Sequence, residues 1–140
     1  MEDEFYGAAY RGSKQDSQQK FRTPGFGAVA DNYAEKSIDL NEQLIKNKPA
    51  TFFLRMNGEA MIGAGIFHGD TLIVDKSITA VSGKVVVAIL NGEMMVRRLE
   101  KTFNKIRLIP ETDRLAPIEV DTSGAEFKIW GVVTFVIHSL

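Results

Sequence analysis

The sequence predicts one mostly β domain with one short helix, preceded by a flexible N-terminal arm. The chain has 140 residues, a length that suits a single domain. From residue 50 onward, runs rich in Val, Ile and Phe are bounded by Gly, Asn and Asp, which is typical of strands and turns. Hydrophobic residues make up 44% of the chain and charged residues 25%, so the chain can build an ordinary core and keep a solvated surface.

The arm is predicted over residues 1–30 and the domain over residues 31–140. The first thirty residues are rich in Gly, Ser, Gln and charge and show no sustained period, which is typical of a tail. Two interpretations stay open, a mobile tail and an arm that docks on this or another chain. Docking is suggested by five aromatic residues, more than a free linker requires: Phe5, Tyr6, Tyr10, Phe21 and Phe26.

One amphipathic helix is predicted over residues 38–47. Asp39 followed by Glu42 resembles a capping box, and Pro49 stops the helix. Ordinary packing on the core is favoured over a role as a partner helix, because short helices owe most of their stability to packing.

Six strands are predicted after the helix. Asn91-Gly92 lies between two apolar runs and predicts a type I′ hairpin, because that turn needs positive φ at both central residues. The valines at 85–87 indicate a strand that is buried on both faces or at an interface. The predicted strands are Thr51–Met56, Thr71–Asp75, Lys84–Leu90, Met94–Leu99, Lys105–Ile109 and Phe127–Ile137.

Several classes of function are disfavoured by composition. A formal net charge of −1 argues against electrostatic wrapping of nucleic acid. Cysteine is absent, which excludes disulfides and a thiol nucleophile, and His68 and His138 lie far apart without metal-ligand spacing. We therefore expect no metal and no cofactor. No apolar run reaches about 20 residues and the N-terminus is acidic, so we expect a cytoplasmic protein without a membrane span.

Three stretches together resemble the LexA/UmuD-type S24 serine peptidase family over about residues 24–140. Asn57–Ile62 resembles the family's Gly-Asp-Ser-Met block, which presents the nucleophile on a turn. Gly69–Asp75 resembles the strand that follows this turn, and Gly92–Leu99 is similar to the hairpin strand that supplies the catalytic lysine. Each motif alone is weak, but their order and spacing make the resemblance specific.

The resemblance is to the UmuD branch in particular. Ile38–Asn41 and Trp130–Val133 are similar to that branch, and the residues before the body lack the periodicity of a helix-turn-helix domain. The resemblance implies the family's C-terminal peptidase fold and a homodimer. It also implies binding to RecA filament and to a Y-family, UmuC-like polymerase in SOS-induced translesion synthesis, with no direct sequence-specific DNA binding.

The same resemblance places substituted residues at both catalytic positions. The family uses a Ser–Lys dyad, in which a neutral lysine takes the proton of the attacking serine. Ala60 stands at the serine position and has no nucleophilic atom. Arg97 stands at the lysine position, and a guanidinium stays protonated and accepts no proton. We therefore expect the protein to be unable to cleave itself.

The expected cleavage site is also altered. Pro24-Gly25 aligns with the bond between a small residue or cysteine and glycine that relatives cleave, and proline restricts the backbone on both sides. Ser77 and Ser82 lie near lysines in sequence, but neighbours on a strand point to opposite faces, so surface solvation is the favoured interpretation.

Three functional hypotheses follow from these residues. The first is a non-cleaving accessory or regulatory subunit in error-prone translesion synthesis. The second is an active, RecA-stimulated self-cleaving peptidase that uses unrecognised residues. The third is a non-cleavable decoy that pairs with active UmuD-type chains and withholds them from polymerase. The resemblance also implies a substrate-binding cleft beside the two dyad positions. Two interpretations of this cleft stay open: the stem of Arg97 fills it, or it still holds the N-terminal arm as an uncut peptide.

Overall fold

The fold is described from a computed structural model, which covers residues 37–140. The predicted arm at residues 1–30, the arm–domain boundary and the Pro24-Gly25 site lie outside the described residues. Residues Leu44–Leu140 form one compact unit.

A seven-stranded antiparallel sheet makes up most of this unit. Its spatial order is β1-β2-β7-β3-β4-β5-β6, so the long last strand lies between β2 and β3 and joins the two parts of the sheet. The strands are β1 (Thr51–Arg55), β2 (Thr71–Asp75), β3 (Val85–Leu90), β4 (Glu93–Lys101), β5 (Ile106–Ile109), β6 (Ile118–Val120) and β7 (Phe127–Ile137).

The mostly β prediction is confirmed, with small differences at the ends of elements. β2 and β7 have the predicted bounds. β1, β3 and β5 are each one residue shorter than predicted, and β4 is longer by one residue at its start and by two at its end. The sequence did not predict β6, because three residues are too few to show an alternating pattern.

Among residues 37–140 there is one α-helix, Leu40–Leu44, which is shorter than the predicted 38–47. A helix of this length has few i→i−4 hydrogen bonds to hold its ends.

The helix begins at a side-chain cap. The Asp39 carboxylate accepts a hydrogen bond from the Asn41 backbone N–H at 3.0 Å, while the Asp39 carbonyl accepts the first helical bond from Gln43 at 3.0 Å. Asp39 therefore acts as the predicted N-cap residue. Two 3₁₀ turns follow, Lys48–Ala50 before β1 and Ile62–Ala64 in the loop after it.

The hairpin between β3 and β4 has the predicted turn. Asn91 has φ 50° and Gly92 has φ 83°, so both central residues adopt the left-handed conformation that a type I′ turn requires. The turn fixes the register in which Leu90 pairs with Glu93 and Val86 pairs with Arg97. The position of Arg97 along the sheet is thus set by a two-residue loop.

β3 buries side chains on both faces of the sheet. Val87 lies in one cluster with Met56, Met61, Leu72 and Val74, and Val86 lies in a second cluster with Ala88, Leu99, Leu108 and Val132. Val86 and Val87 are both fully buried, which confirms the prediction from the valine run. Burying each such side chain contributes about 1.5–3 kcal/mol.

No helix within residues 37–140 is long and apolar enough to cross a membrane.

Gly131 tests the packing between the two parts of the sheet. A Cβ at this position would lie 2.5 Å from Cγ1 of Val74, which is fully buried. We expect Gly131→Ala to lower the free energy of unfolding by about 1–3 kcal/mol, measured by urea denaturation, because overpacking forces a backbone shift. Gly124→Ala is the matched control, since its Cβ would meet only the exposed Asp121 carboxylate at 3.3 Å. Equal effects of the two changes would contradict this packing argument.

Candidate functional site: the loop at position 60 and β4

Position 60 lies in a closed loop between β1 and β2. The Met56 N–H donates to the Asp70 carbonyl at 2.8 Å, and the Gly69 N–H donates back to the Met56 carbonyl at 2.8 Å. These two bonds close residues 56–70 at the point where β1 ends and β2 begins. The loop is therefore held by the same antiparallel pairing that builds the sheet.

His68 and Asp70 hold the inside of this loop. The Gly58 N–H donates to Nδ1 of His68 at 2.9 Å, and the Phe67 N–H donates to Oδ2 of Asp70 at 2.8 Å. Asp70 is only 3% exposed, and its Oδ1 lies 2.6 Å from Nδ1 of His138. A buried carboxylate with these partners organises the turn.

Ala60 is fixed in place by a neighbouring strand end. Its carbonyl accepts a hydrogen bond from the Glu111 N–H at 2.8 Å, and the Gly63 N–H donates to the Glu111 carbonyl at 2.8 Å. Ala60 is 8% exposed and the following Met61 is fully buried. Position 60 thus presents a methyl group from a backbone held by hydrogen bonds, with no atom that can attack a carbonyl.

Glu111 connects this loop to β4. Its Oε1 accepts a hydrogen bond from Nε of Arg98 at 2.5 Å, and Nη1 of Arg98 donates to the Gly83 carbonyl at 2.7 Å. The sequence reasoning missed both Glu111 and Arg98. Glu111 follows β5 without any motif, and only its backbone pairing with the loop reveals its role.

Arg97 lies on β4 opposite Val86. Its Nη1 donates to the Val96 carbonyl at 2.8 Å, while its Nε is buried and has no hydrogen-bond partner. Burial lowers the pKa of Arg97 from its usual value, and the nearby Glu93 carboxylate acts in the opposite direction. A guanidinium remains a cation at ordinary pH under such a shift, so it cannot serve as a proton acceptor.

The link between the loop and β4 runs through Glu111 and Arg98. Ala60 packs in the hydrophobic cluster that contains Val96. Arg97 pairs across the sheet with Val86, which packs in the other cluster, so the contacts of Ala60 and the strand pairing of Arg97 involve different clusters. That Ala60 and Arg97 are the two remnants of one catalytic pair stays a prediction from the sequence.

The alternative serines are engaged in local structure. The Ser77 hydroxyl donates to Oδ1 of Asp75 at 2.5 Å. The Ser82 hydroxyl donates to the Lys101 carbonyl at 2.8 Å and accepts the Lys101 N–H at 2.5 Å. These bonds hold the ends of strands, and each gives its serine a structural role.

Comparisons with known proteins identify a family and several relatives of this chain. The pattern of the family described as Peptidase S24-like matches residues 22–134. The chain is 39% identical to Protein ImpA of Salmonella typhimurium over 122 residues, which cover 81% of this chain and 77% of that protein. It is 36% identical to Protein MucA of Escherichia coli over 83% of this chain and 77% of that protein. It is also 42% identical to the LexA repressor of Clostridioides difficile, over 83% of this chain and 54% of the repressor. The resemblance that the three motifs predicted is confirmed.

The buried Nε of Arg97 has a measurable consequence for stability. An unsatisfied buried donor costs about 1–3 kcal/mol, so we expect Arg97→Met, which keeps the apolar stem, to raise the free energy of unfolding by about 1 kcal/mol. Urea denaturation at neutral pH measures this change. Arg107→Met is the control, because Nη1 of Arg107 is paired with Glu100 at 2.7 Å and its loss should be neutral or slightly destabilising. A loss of stability in Arg97→Met larger than that in the control would show that Arg97 makes a stabilising contact.

Proposed function

The chain belongs to the Peptidase S24-like family, and from this premise we propose that it is a non-cleaving, UmuD-like accessory subunit in SOS-induced translesion DNA synthesis. The observation that carries the proposal is the side-chain chemistry at the two dyad positions. Ala60 offers a methyl group and Arg97 a permanent cation.

The proposed loss of cleavage rests on what each step of the reaction requires. Attack needs a hydroxyl or thiol, and its activation needs a neutral base within hydrogen-bond reach. Loss of one member of such a unit costs about 10⁴–10⁶ in rate, nearly as much as loss of all members. Ser77 and Ser82 do not offer a substitute, since both hydroxyls are hydrogen-bonded at the ends of strands.

The proposed partners are those that the resemblance implies. The protein would act in the cytoplasm as a homodimer that binds RecA filament, a Y-family polymerase or other UmuD-type chains. Pull-downs with each of these three partners test this part. Failure of the 140-residue chain to associate with any of them would contradict the accessory role.

Self-cleavage is tested by intact mass. After incubation with RecA, ATP and single-stranded DNA, we expect the chain to keep its full mass of 15.5 kDa, because it has neither nucleophile nor base at the dyad positions. A cleavable relative in the same tube shows that the filament is active. A fragment that begins at Gly25 would establish the active-peptidase hypothesis instead.

Restoring serine and lysine at positions 60 and 97 tests two proposed causes of inactivity separately. One is the absence of the catalytic residues, and the other is the proline at the expected cleavage site. We expect Ala60→Ser with Arg97→Lys to stay uncut while Pro24 is present, because proline restricts its own φ and the conformation of Thr23. Adding Pro24→Ala should then permit slow cleavage before Gly25, read by intact mass. Ala60→Ser with Arg97 retained is the matched control and should stay intact. Cleavage in the double variant would show that Pro24 fits the cleft.

A further inference from the structure

The tripeptide Asn-Gly-Glu occurs twice in the chain, in two different settings. One copy, residues 57–59, lies in the loop that carries position 60, and the other, residues 91–93, spans the turn between β3 and β4. An asparagine that precedes glycine is prone to lose its side-chain amide, because the next backbone nitrogen can attack the side-chain carbonyl carbon and glycine has no Cβ to obstruct it. The two copies therefore share one local sequence and differ in what the fold places around them.

In the loop copy, the nitrogen that would attack is bonded to a base. The Gly58 N–H donates to Nδ1 of His68 at 2.9 Å. Because Nδ1 accepts this bond, the imidazole is neutral in this arrangement and carries its proton on Nε2. A carbonyl acceptor would only hold the amide proton in place, whereas an imidazole nitrogen can take the proton as the amide nitrogen attacks.

The surroundings of Asn57 leave its side chain room to react. Asn57 and His68 are both exposed, so water reaches the site. Within residues 37–140, no hydrogen bond holds the side-chain amide of Asn57. Gly58 has φ 94°, and no atom of the described residues lies within 4 Å of the place that a Cβ would take. The amide of Asn57 can therefore turn toward the Gly58 nitrogen without breaking an existing contact.

The turn copy is held by the neighbouring segment. Oδ1 of Asn91 accepts a hydrogen bond from the Glu126 N–H at 3.1 Å, and the Asn91 N–H donates to the Glu126 carbonyl at 2.7 Å. The type I′ turn also fixes the backbone of Asn91, at φ 50°. The side chain of Asn91 must therefore leave an existing bond before it can react, and the fold protects this copy.

We propose that Asn57 is a site of spontaneous deamidation in which His68 acts as the general base. The Gly58 nitrogen attacks Cγ of Asn57, forms a C–N bond and gives its proton to Nδ1 of His68. The bond between Cγ and Nδ2 of Asn57 then breaks, and Nδ2 leaves as ammonia with that proton. Water opens the resulting succinimide ring at either carbonyl, which gives aspartate or isoaspartate at position 57.

The modification changes both the charge and the length of the loop that carries Ala60. Either product adds one carboxylate, so the formal net charge goes from −1 to −2. Isoaspartate also adds a methylene to the main chain directly after Met56, whose N–H and carbonyl each make a 2.8 Å bond that closes the loop. The inference goes beyond the proposed function and does not rest on it, because the reaction uses neither dyad position.

Peptide mapping after incubation at neutral pH compares the two copies in one chain. Trypsin releases them in separate peptides, Met56–Lys76 and Val85–Arg97, and mass spectrometry detects the exchange of NH₂ for OH in each. In the folded chain we expect Asn57 to deamidate at least about tenfold faster than Asn91, because only Asn57 has a base at the attacking nitrogen. In guanidinium chloride, where the contacts of the fold are lost, the two rates should be similar. Equal rates in the folded chain, or unequal rates in the unfolded chain, would overturn the inference.

Variants of His68 separate proton transfer from orientation of the amide. We expect His68→Ala to slow deamidation of Asn57 at least about tenfold, because the base is lost. His68→Gln is the matched control and should be equally slow, since its amide oxygen can accept the Gly58 N–H but takes no proton. Asn91 in the same digests reports on the fold and should keep its wild-type rate. A wild-type rate in His68→Gln would show that His68 only orients the amide, and faster loss in His68→Ala would show that His68 protects the loop. Either result contradicts the proposal.

Discussion

Burial of β3 and β7 on both faces is the constraint on which the rest of the structure depends. Val86 and Val87 are neighbours in sequence, yet each is fully buried, one in each cluster. A sheet with two covered faces fixes register strongly, because a slip by one residue would exchange the two sets of side chains. The same register determines which β4 residues lie beside the loop at position 60 and which lie on the opposite face.

The loop at position 60 owes its shape to groups outside the dyad. Backbone bonds to Glu111, the His68 acceptor and the buried Asp70 carboxylate hold it. None of these contacts involves a serine or lysine side chain. The contacts that hold this loop therefore do not depend on a serine at position 60 or a lysine at position 97, and the peptidase-like framework persists in a chain with Ala60 and Arg97.

Much of the fold was predictable because its signals are local. The Asn91-Gly92 turn and the apolar runs of β2 and β7 each carry their own pattern, and the structure has them at the predicted positions. β6 was not predictable, since three residues show no period and the strand exists through pairing with β5. The placement of Ala60 and Arg97 at the dyad positions stays a prediction from the motifs. Glu111 and Arg98 could not be predicted, because they depend on contacts between distant segments that no spacing in the sequence encodes.

Arg97 shows how an arginine differs from a lysine at a half-buried position on a strand. A lysine has one terminal nitrogen, which can lose its proton when burial lowers its pKa. An arginine carries donors along a rigid plane, and here Nη1 finds the Val96 carbonyl while Nε stays buried without a partner. Burial lowers the pKa of Arg97, but the guanidinium stays charged and cannot act as a base. The half-buried position of Arg97 thus leaves a cation with an unmet donor and offers no group that can accept a proton.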